Sequence, residues 1–147
     1  MGVSNTIQQL SVFLENKDTQ LDEALRILSE NGINIVALSL ADTCDYGMLR
    51  LVVSNPHKGR IALREAGIAS KLEDVIAFRL SHAVGSLGKA MHYLVDGEIR
   101  LEYMYCFANG NQASCVLKTN EIARAVDILN GTGFEVYSAD EAYLANQ

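Results

Sequence analysis

Residues 10–35 read LSVFLENKDTQLDEALRILSENGINI, and residues 76–101, IAFRLSHAVGSLGKAMHYLVDGEIRL, repeat their pattern of apolar positions. Residue 10 aligns with residue 76, and the same shift, called the repeat shift below, continues without a gap beyond these segments. A constant shift of this kind indicates a duplicated structural unit. We therefore expect two repeats, residues 1–73 and residues 74–147. The aligned pairs include Leu14 with Leu80, Leu21 with Leu87, Ala24 with Ala90, Leu28 with Leu94, Ile33 with Ile99, Leu51 with Leu117, Leu63 with Leu129 and Gly67 with Gly133.

Within each repeat the spacing of apolar residues changes in a fixed order. Alternation predicts strands, and apolar residues three or four positions apart predict helices that lie on a sheet. Thr19 and Asp22 have the spacing of a capping box at the start of the first helix. Asn55 and Pro56 are typical of the start of a second helix. The expected order in the first repeat is a strand at 10–14, a helix ending near Asn31, strands at 33–40 and 48–53, a helix ending near Gly67, and a strand at 70–75.

The second repeat gives the same order and ends with a short strand at 134–137. The order strand, helix, strand, strand, helix, strand is the ferredoxin-like arrangement. We therefore expect an α+β protein made of two ferredoxin-like repeats packed side by side, with helices on one face of an antiparallel sheet.

The composition of the chain excludes several classes of partner. Its 147 residues include 18 Asp and Glu but 12 Lys and Arg, for a net charge of −6. This acidity disfavours binding to nucleic acid or to an anionic membrane, because both are captured by clustered cations. The sequence has neither a membrane-spanning apolar run nor the pattern of a signal peptide, so we expect a cytoplasmic protein.

The side chains that could carry other chemistry are scattered. The cysteines lack the spacing of a zinc site or disulfide scaffold, and the histidines are not clustered with carboxylates, so we expect no metal and no cofactor. Cys106 and Cys115 flank a hairpin; they are either neighbours across it or buried free thiols, and the second is the commoner case. Tyr103, Tyr105 and Phe107 alternate along one strand and suit packing better than RNA stacking in so acidic a chain. The cysteines and histidines concerned are Cys44, Cys106, Cys115, His57, His82 and His92.

The clearest candidate sites are the loops at 15–20 and 81–86, between the first strand and first helix of each repeat. The N-terminus of a helix offers backbone N–H groups and a positive dipole end to a carboxylate. The alternative is that these polar residues only cap their helices. Neither loop carries the Arg that an acylphosphatase-like enzyme of this fold class would need, and no nucleophile has a base at a suitable spacing. We therefore expect that the protein is not an enzyme.

Several segments of the first repeat resemble the ACT domain, and with the second repeat the chain is similar to a stand-alone tandem ACT protein. The resemblance implies βαββαβ modules that bind amino acids and regulate amino-acid metabolism, usually at interfaces between paired domains. The most specific segment is Asn-Gly-Ile-Asn-Ile at 31–35. The matching segments are 13–17, 21–25, 30–35, 41–43 and 46–53.

The two loops differ from each other in a way that bears on binding. Where the ACT family commonly has Pro-Gly, the first repeat has Asp18 and Thr19, and the second has Val84 and Gly85. Glycine lets a ligand approach the backbone closely. We therefore expect the working pocket at 81–87, with His82 or Ser86 as side-chain partners and Asn34 on the opposing wall, and a weaker site at 16–20. The candidate ligand-binding residues are Asn16, Asp18, Thr19, Gln20, Asn34, Ser81, His82, Val84, Gly85, Ser86 and Leu87.

The expected function is that of a regulatory or sensory protein that binds an amino acid at the interface between its two repeats. Exposed sheet edges also favour a homodimer. The alternative is a ligand-free module that dimerises or docks on a metabolic enzyme or regulator.

Overall fold

The structure is a computed structural model that describes residues 5–42, 46–81, 83–109 and 112–143. These residues form two compact units. Residues from 8 to 73 and Tyr143 make the N-terminal unit, and residues 5–7 and those from 74 to 142 make the C-terminal unit. The expected division is 1–73 and 74–147. In the structure residues 5–7 belong to the C-terminal unit, and Tyr143 belongs to the N-terminal unit.

The N-terminal unit has three antiparallel strands joined in the expected order. Strand β3 pairs with both β1 and β2, and Leu51 of β3 lies opposite Leu10 of β1 and Leu38 of β2. Helix α1 lies between β1 and β2 in the chain, and α2 follows β3. The elements are β1 (Ile7–Leu14), α1 (Lys17–Glu30), β2 (Ile35–Asp42), β3 (Gly47–Val53), α2 (Pro56–Glu65) and the first residues of β4 (Ser70–Leu80).

The core of the N-terminal unit lies on the helix-covered face of its sheet. Leu10, Val12 and Leu14 alternate along β1 and are fully buried. They share one apolar cluster with Leu28 of α1 and Leu63 of α2. Burial of apolar area is the main stabilising contribution, about 25 cal/mol per Å². Both helices therefore pack on one face of this sheet, as the sequence predicts.

The C-terminal unit repeats this arrangement. Strand β6 pairs antiparallel with β4 and β5, and Leu117 of β6 lies opposite Ile76 and Met104. Leu94 of α3 and Leu129 of α4 join the same buried cluster. The elements after β4 are α3 (Ser86–Asp96), β5 (Leu101–Asn109), β6 (Gln112–Thr119), α4 (Ile122–Gly131) and α5 (Ala139–Tyr143).

The segment that ends each repeat, called its closing segment below, pairs with the first strand of the same repeat. It includes Ala69 in the N-terminal unit and Glu135 in the C-terminal unit. In the C-terminal unit the Arg79 N–H donates to the carbonyl of Glu135 at 2.8 Å, and in the N-terminal unit the Phe13 N–H donates to that of Ala69 at 2.9 Å. The repeat shift relates these two pairs to each other. The ferredoxin-like order of each repeat is thus confirmed. The strand expected at 134–137 is reduced to one bridge, Phe78 with Val136, and the strand expected at 70–75 continues into the next as β4.

The helix starts follow local capping chemistry. The Asn55 side chain accepts from the Lys58 N–H and caps α2, as predicted. The cap expected at Thr19 is wrong, because Asn16 accepts from the Thr19 N–H and α1 begins at Lys17. The first polar side chain that reaches the free N–H groups determines where the helix begins.

The short helix α5 has no counterpart among the predicted elements. The Glu141 carboxylate accepts from the Ser138 N–H at 3.0 Å, and the Glu141 N–H donates to the Ser138 hydroxyl at 3.2 Å. This is a capping box. Hydrogen bonding of the Glu141 carboxylate with the Ser138 backbone N–H, and then with the Ser138 side chain, lowers the pKa of Glu141. The Gln8 N–H donates to the hydroxyl of Tyr143, the last residue of α5, at 2.8 Å.

Among the helices of the described ranges, none has the length and apolar composition needed to cross a bilayer. In the same part of the chain, no group of three or more His, Cys, Asp or Glu side chains is arranged to hold a metal ion.

Candidate functional site

A cavity of about 370 Å³ lies in the C-terminal unit, where β4 ends and α3 begins. Its volume falls within the range of about 300–1,000 Å³ that is usual for small-molecule sites. All of its lining residues belong to this unit. They come from the end of β4, the loop and first turn of α3, and the segment after α4: Arg79, Ser81, Ala83, Val84, Gly85, Ser86, Lys89, Thr132, Gly133, Phe134 and Glu135.

The topology brings these segments together. The closing segment runs antiparallel to β4, so its start at Phe134 and Glu135 lies beside the end of β4 at Arg79. The loop that leaves β4 therefore faces the loop that leaves α4. Gly133, at φ +91°, turns the chain from α4 into this segment. The pocket follows from the ferredoxin-like order itself.

Gly85 is the N-cap of α3 and adopts a left-handed conformation, with φ +86° and ψ +5°. Such a conformation costs an L-residue with a side chain about 1–2 kcal/mol. Apart from Gly85 and its two chain neighbours, no residue in the described part of the chain has a heavy atom within 4 Å of the position that a Cβ would take. The backbone angle therefore favours glycine, and the space beside it leaves room for the close approach that the sequence suggests.

The loop before α3 is tied by two serines. The Ser81 N–H donates to the Ser86 hydroxyl at 3.2 Å, and the Ala83 N–H donates to the Ser81 hydroxyl at 3.4 Å. Gly85 has no side chain, and α3 begins without a side-chain cap. The first N–H groups of a helix have no partner within the helix. This end of α3 is consequently suited to accept an anionic group from a ligand.

Charges of both signs surround the pocket. The Arg79 guanidinium and the Glu135 carboxylate lie 3.2 Å apart, and both side chains are about half exposed. A hydrogen bond with Tyr137, followed by the Glu135 charge, raises the pKa of Arg79. Lys89, one turn into α3, adds a second cation. The pocket thus carries two cations and one carboxylate beside the helix N-terminus.

One wall of the pocket is apolar and fixed. The ring of Phe134 meets that of Phe78 edge-on, with centroids 5.9 Å apart and an interplanar angle of 83°. This geometry is favoured between aromatic rings. Phe78 is fully buried in the core of the unit. The pocket wall is therefore continuous with the core.

In the equivalent loop of the N-terminal unit, side-chain oxygens accept hydrogen bonds from backbone N–H groups of the same loop. The Gln20 amide oxygen accepts from the Glu15 N–H at 2.6 Å and from the Asn16 N–H at 3.3 Å. Asn16 in turn accepts from the Thr19 N–H at 3.3 Å. The two loops thus share a side-chain contact at equivalent positions, Gln20 with Glu15 and Ser86 with Ser81, but only α1 has a side-chain cap.

The charges also differ between the two units. The repeat shift relates Arg79 to Phe13, Lys89 to Glu23, and Glu135 to Ala69. Phe13 contacts the ring of Tyr46 at 6.1 Å between centroids. The N-terminal unit therefore has an aromatic residue in place of Arg79 and an acidic residue in place of Lys89.

Asn34 lies in the N-terminal unit, just before β2, and lines a second, more open groove of about 440 Å³. Its N–H donates to the Ser54 hydroxyl at 2.9 Å. Its side-chain nitrogen is buried and has no hydrogen-bond partner within the described part of the chain. The other lining residues of this groove are Leu25, Ser29, Gly32, Ile33 and Ile35.

The structure brings only part of the predicted set together. Ser81, Val84, Gly85 and Ser86 line the cavity, whereas Leu87 packs against the core. His82 lies outside the described residues. Thr19 and its predicted companions form the start of α1 in the other unit: Asn16, Asp18 and Gln20.

Sequence reasoning missed Arg79, Lys89 and Glu135. The repeat shift shows that the two repeats differ in charge at all three positions, but it does not show that these residues lie together. It also missed the segment after α4, since its proximity to the loop depends on strand pairing.

The comparisons with known proteins agree with this fold. A family model described as an ACT domain pair matches residues 5–142. A crystal structure of a Bacteroides thetaiotaomicron protein has a TM-score of 0.91 and 33% sequence identity, and the match covers 96% of this chain and 98% of that one. No curated protein matches the chain in sequence.

More distant structures share the fold. The regulatory subunit of aspartate kinase from Thermus thermophilus, in its ligand-free form, matches at 10% identity with a TM-score of 0.64, over 90% of this chain and 95% of that one. The corresponding subunit from Thermus flavus matches at 11% identity with a TM-score of 0.56, over 89% and 98% of the two chains.

Proposed function

The chain belongs to the family of ACT domain pairs, and we propose that it is a regulatory protein that binds an amino acid in the pocket of its C-terminal unit. The alternative, a ligand-free docking module, would leave no role for a cavity lined by charges of both signs.

The observation that carries this proposal is the position of the Arg79–Glu135 pair beside the uncapped start of α3. A free amino acid carries a carboxylate and an ammonium group a few bonds apart. The N–H groups at the start of α3, together with Lys89, suit the carboxylate. Glu135 suits the ammonium group, and Arg79 holds the Glu135 side chain at the rim.

The difference between the two units supports one working site in each chain. In the N-terminal unit the Asn16 side chain caps α1, whereas α3 has no side-chain cap, and Glu23 stands where Lys89 stands in the other unit. A carboxylate would therefore meet fewer free donors and a like charge there. We propose that the N-terminal loop caps α1 and that the ligand binds at 81–89.

A regulatory role without catalysis fits this chemistry. Two of the structures that share the fold are regulatory subunits of aspartate kinase. We propose that this chain likewise transmits the presence of an amino acid to a metabolic enzyme or regulator.

We also propose that the protein is a homodimer. Leu38 and Leu40 of β2 are 45% and 39% exposed, on the same face of one strand. Neighbouring apolar side chains of this kind are often covered in an assembly. Light scattering on the purified chain tests this: a dimer mass is expected, and a monomer at all concentrations would contradict it.

The test of binding is a calorimetric and thermal-shift panel of the twenty amino acids at up to millimolar concentration. We expect saturable binding and a raised melting temperature with at least one of them, because a ligand that binds only the folded state stabilises it. The absence of heat and of any shift with all twenty would contradict the proposal.

A further inference from the structure

A second chemical feature of the C-terminal unit involves two residues that are not part of the pocket lining. Cys106 of β5 and Cys115 of β6 are direct cross-strand partners in the hairpin. Cys106 is exposed, whereas Cys115 is fully buried. We propose that these two cysteines form a reversible disulfide when a peroxide oxidises the exposed thiol, so that the hairpin is a redox modification site.

The register supports a bond without rearrangement of the backbone. Directly opposed residues of an antiparallel pair have Cα atoms about 4.5–5.5 Å apart. Disulfides span Cα separations of about 4.4–6.8 Å. Directly opposed side chains also point to the same face of the sheet. The register therefore places the two Cα atoms within the span of a disulfide, with both side chains on one face of the hairpin.

The two environments assign different roles to the two thiols. Burial, followed by the neighbouring Cys106 thiol, raises the pKa of Cys115. Cys115 therefore stays protonated and shielded, and a dissolved oxidant reaches Cys106 first. Cys106 is the thiol that reacts with peroxide, and Cys115 is the resolving thiol.

The reaction balances in two steps. The Cys106 thiolate attacks one oxygen of a peroxide, the O–O bond breaks, and the other oxygen leaves as an alcohol or water after taking a proton, which gives a sulfenic acid. The Cys115 sulfur then attacks the Cys106 sulfur, the S–O bond breaks, and hydroxide leaves with the Cys115 proton as water. Two electrons pass from the two thiols to the peroxide, and a dithiol reverses the change.

The test uses the full chain with Cys44→Ser, which leaves only these two thiols. After limited hydrogen peroxide, mass spectrometry is expected to show the loss of two hydrogens and a peptide that links Cys106 to Cys115, both reversed by dithiothreitol. In a second variant that also carries Cys106→Ser, Cys115 should stay unmodified. In one that carries Cys115→Ala, dimedone should trap Cys106 as a sulfenic acid.

Three results would overturn the proposal. One is a linked peptide that forms only after unfolding in guanidinium. The second is over-oxidation of Cys106 to sulfinic acid in the folded Cys44→Ser protein, with no link to Cys115. The third is unchanged oxidation of Cys115 when Cys106 is replaced. Circular dichroism of each variant confirms that it is folded, and the exposed position of Cys106 makes its replacement the least disruptive.

Discussion

Arg79 and Glu135 contact each other twice. The Arg79 backbone N–H donates to the Glu135 carbonyl at 2.8 Å, and the two side chains form an ion pair at 3.2 Å. The first contact fixes the closing segment beside β4, and the second sets the charge at the pocket rim. Because the same two residues make the backbone hydrogen bond and the ion pair, the pairing of the two backbones places the side chains of Arg79 and Glu135 at the pocket.

Replacing Arg79 with Gln should weaken binding of the amino acid by up to about 100-fold, because Glu135 is no longer held in place for its charged hydrogen bond to the ammonium group, which contributes about 1.5–3 kcal/mol. Stability should change little, since exposed ion pairs contribute about 0–1 kcal/mol. Calorimetry measures the affinity. Arg124→Gln is the matched control, because Arg124 pairs with Glu121 and lies outside the pocket lining. Equal losses in the two variants would indicate a general charge effect.

Gly85→Ala should destabilise the protein by about 1–2 kcal/mol through its positive φ alone. Gly88→Ala is the matched control, since Gly88 lies in α3 and has open space where a methyl group would be added. Alanine there should stabilise by up to about 1 kcal/mol. Chemical denaturation measures both values, and an undiminished stability of Gly85→Ala would contradict the structure. Gly85→Val should also abolish ligand binding, whereas Thr19→Val should change it little.

Gln20→Ala should destabilise the N-terminal unit by about 0.5–1.5 kcal/mol for each net hydrogen bond lost, because the amide oxygen accepts from two backbone N–H groups. Amino-acid affinity should remain the same. Denaturation and calorimetry on one sample separate these effects. A drop in affinity like that of Arg79→Gln would mean that the N-terminal loop also binds ligand.

Stability should depend on pH through Glu141. Its folded pKa lies below the ordinary value of 4.5, so the ionised carboxylate stabilises the fold above that value. The contribution is lost as the pH falls through the lower folded pKa. Glu141→Gln should therefore be less stable than the native protein at pH 7 and equal to it in strong acid. Denaturation from pH 7 to 2 measures this, and a gap that widens in acid would contradict the sign.

Local chemistry explains which parts of the fold and of the site could be predicted from the sequence. Asn55 and Pro56 start a helix through their own side chains, and the apolar spacing of each repeat suffices to order its elements. The competition between Asn16 and Thr19 to cap α1 depends on which side chain reaches the free N–H groups. Arg79 and Glu135 lie far apart in sequence, so only strand register shows that they meet.

The residues of the pocket also show that sequence alone does not give the positions of residues in space. The sequence identifies Gly85 from its place in the loop, and the structure adds its positive φ, which sequence alone does not show. Lys89 looks like an ordinary exposed helix residue until the direction of α3 is known. The sequence predicts Asn34 opposite the loop, and in the structure Asn34 lines a groove of the N-terminal unit.

The amide NMR spectrum of the isotope-labelled protein, titrated with the amino acid that binds in the panel, tests the proposed site most directly. Binding at the C-terminal pocket predicts saturable shifts at Ser81, Gly85 and Ser86, with the equivalent amides at Glu15 and Thr19 unmoved. Saturable shifts at the N-terminal loop, with the amides at 81–89 unmoved, would contradict it.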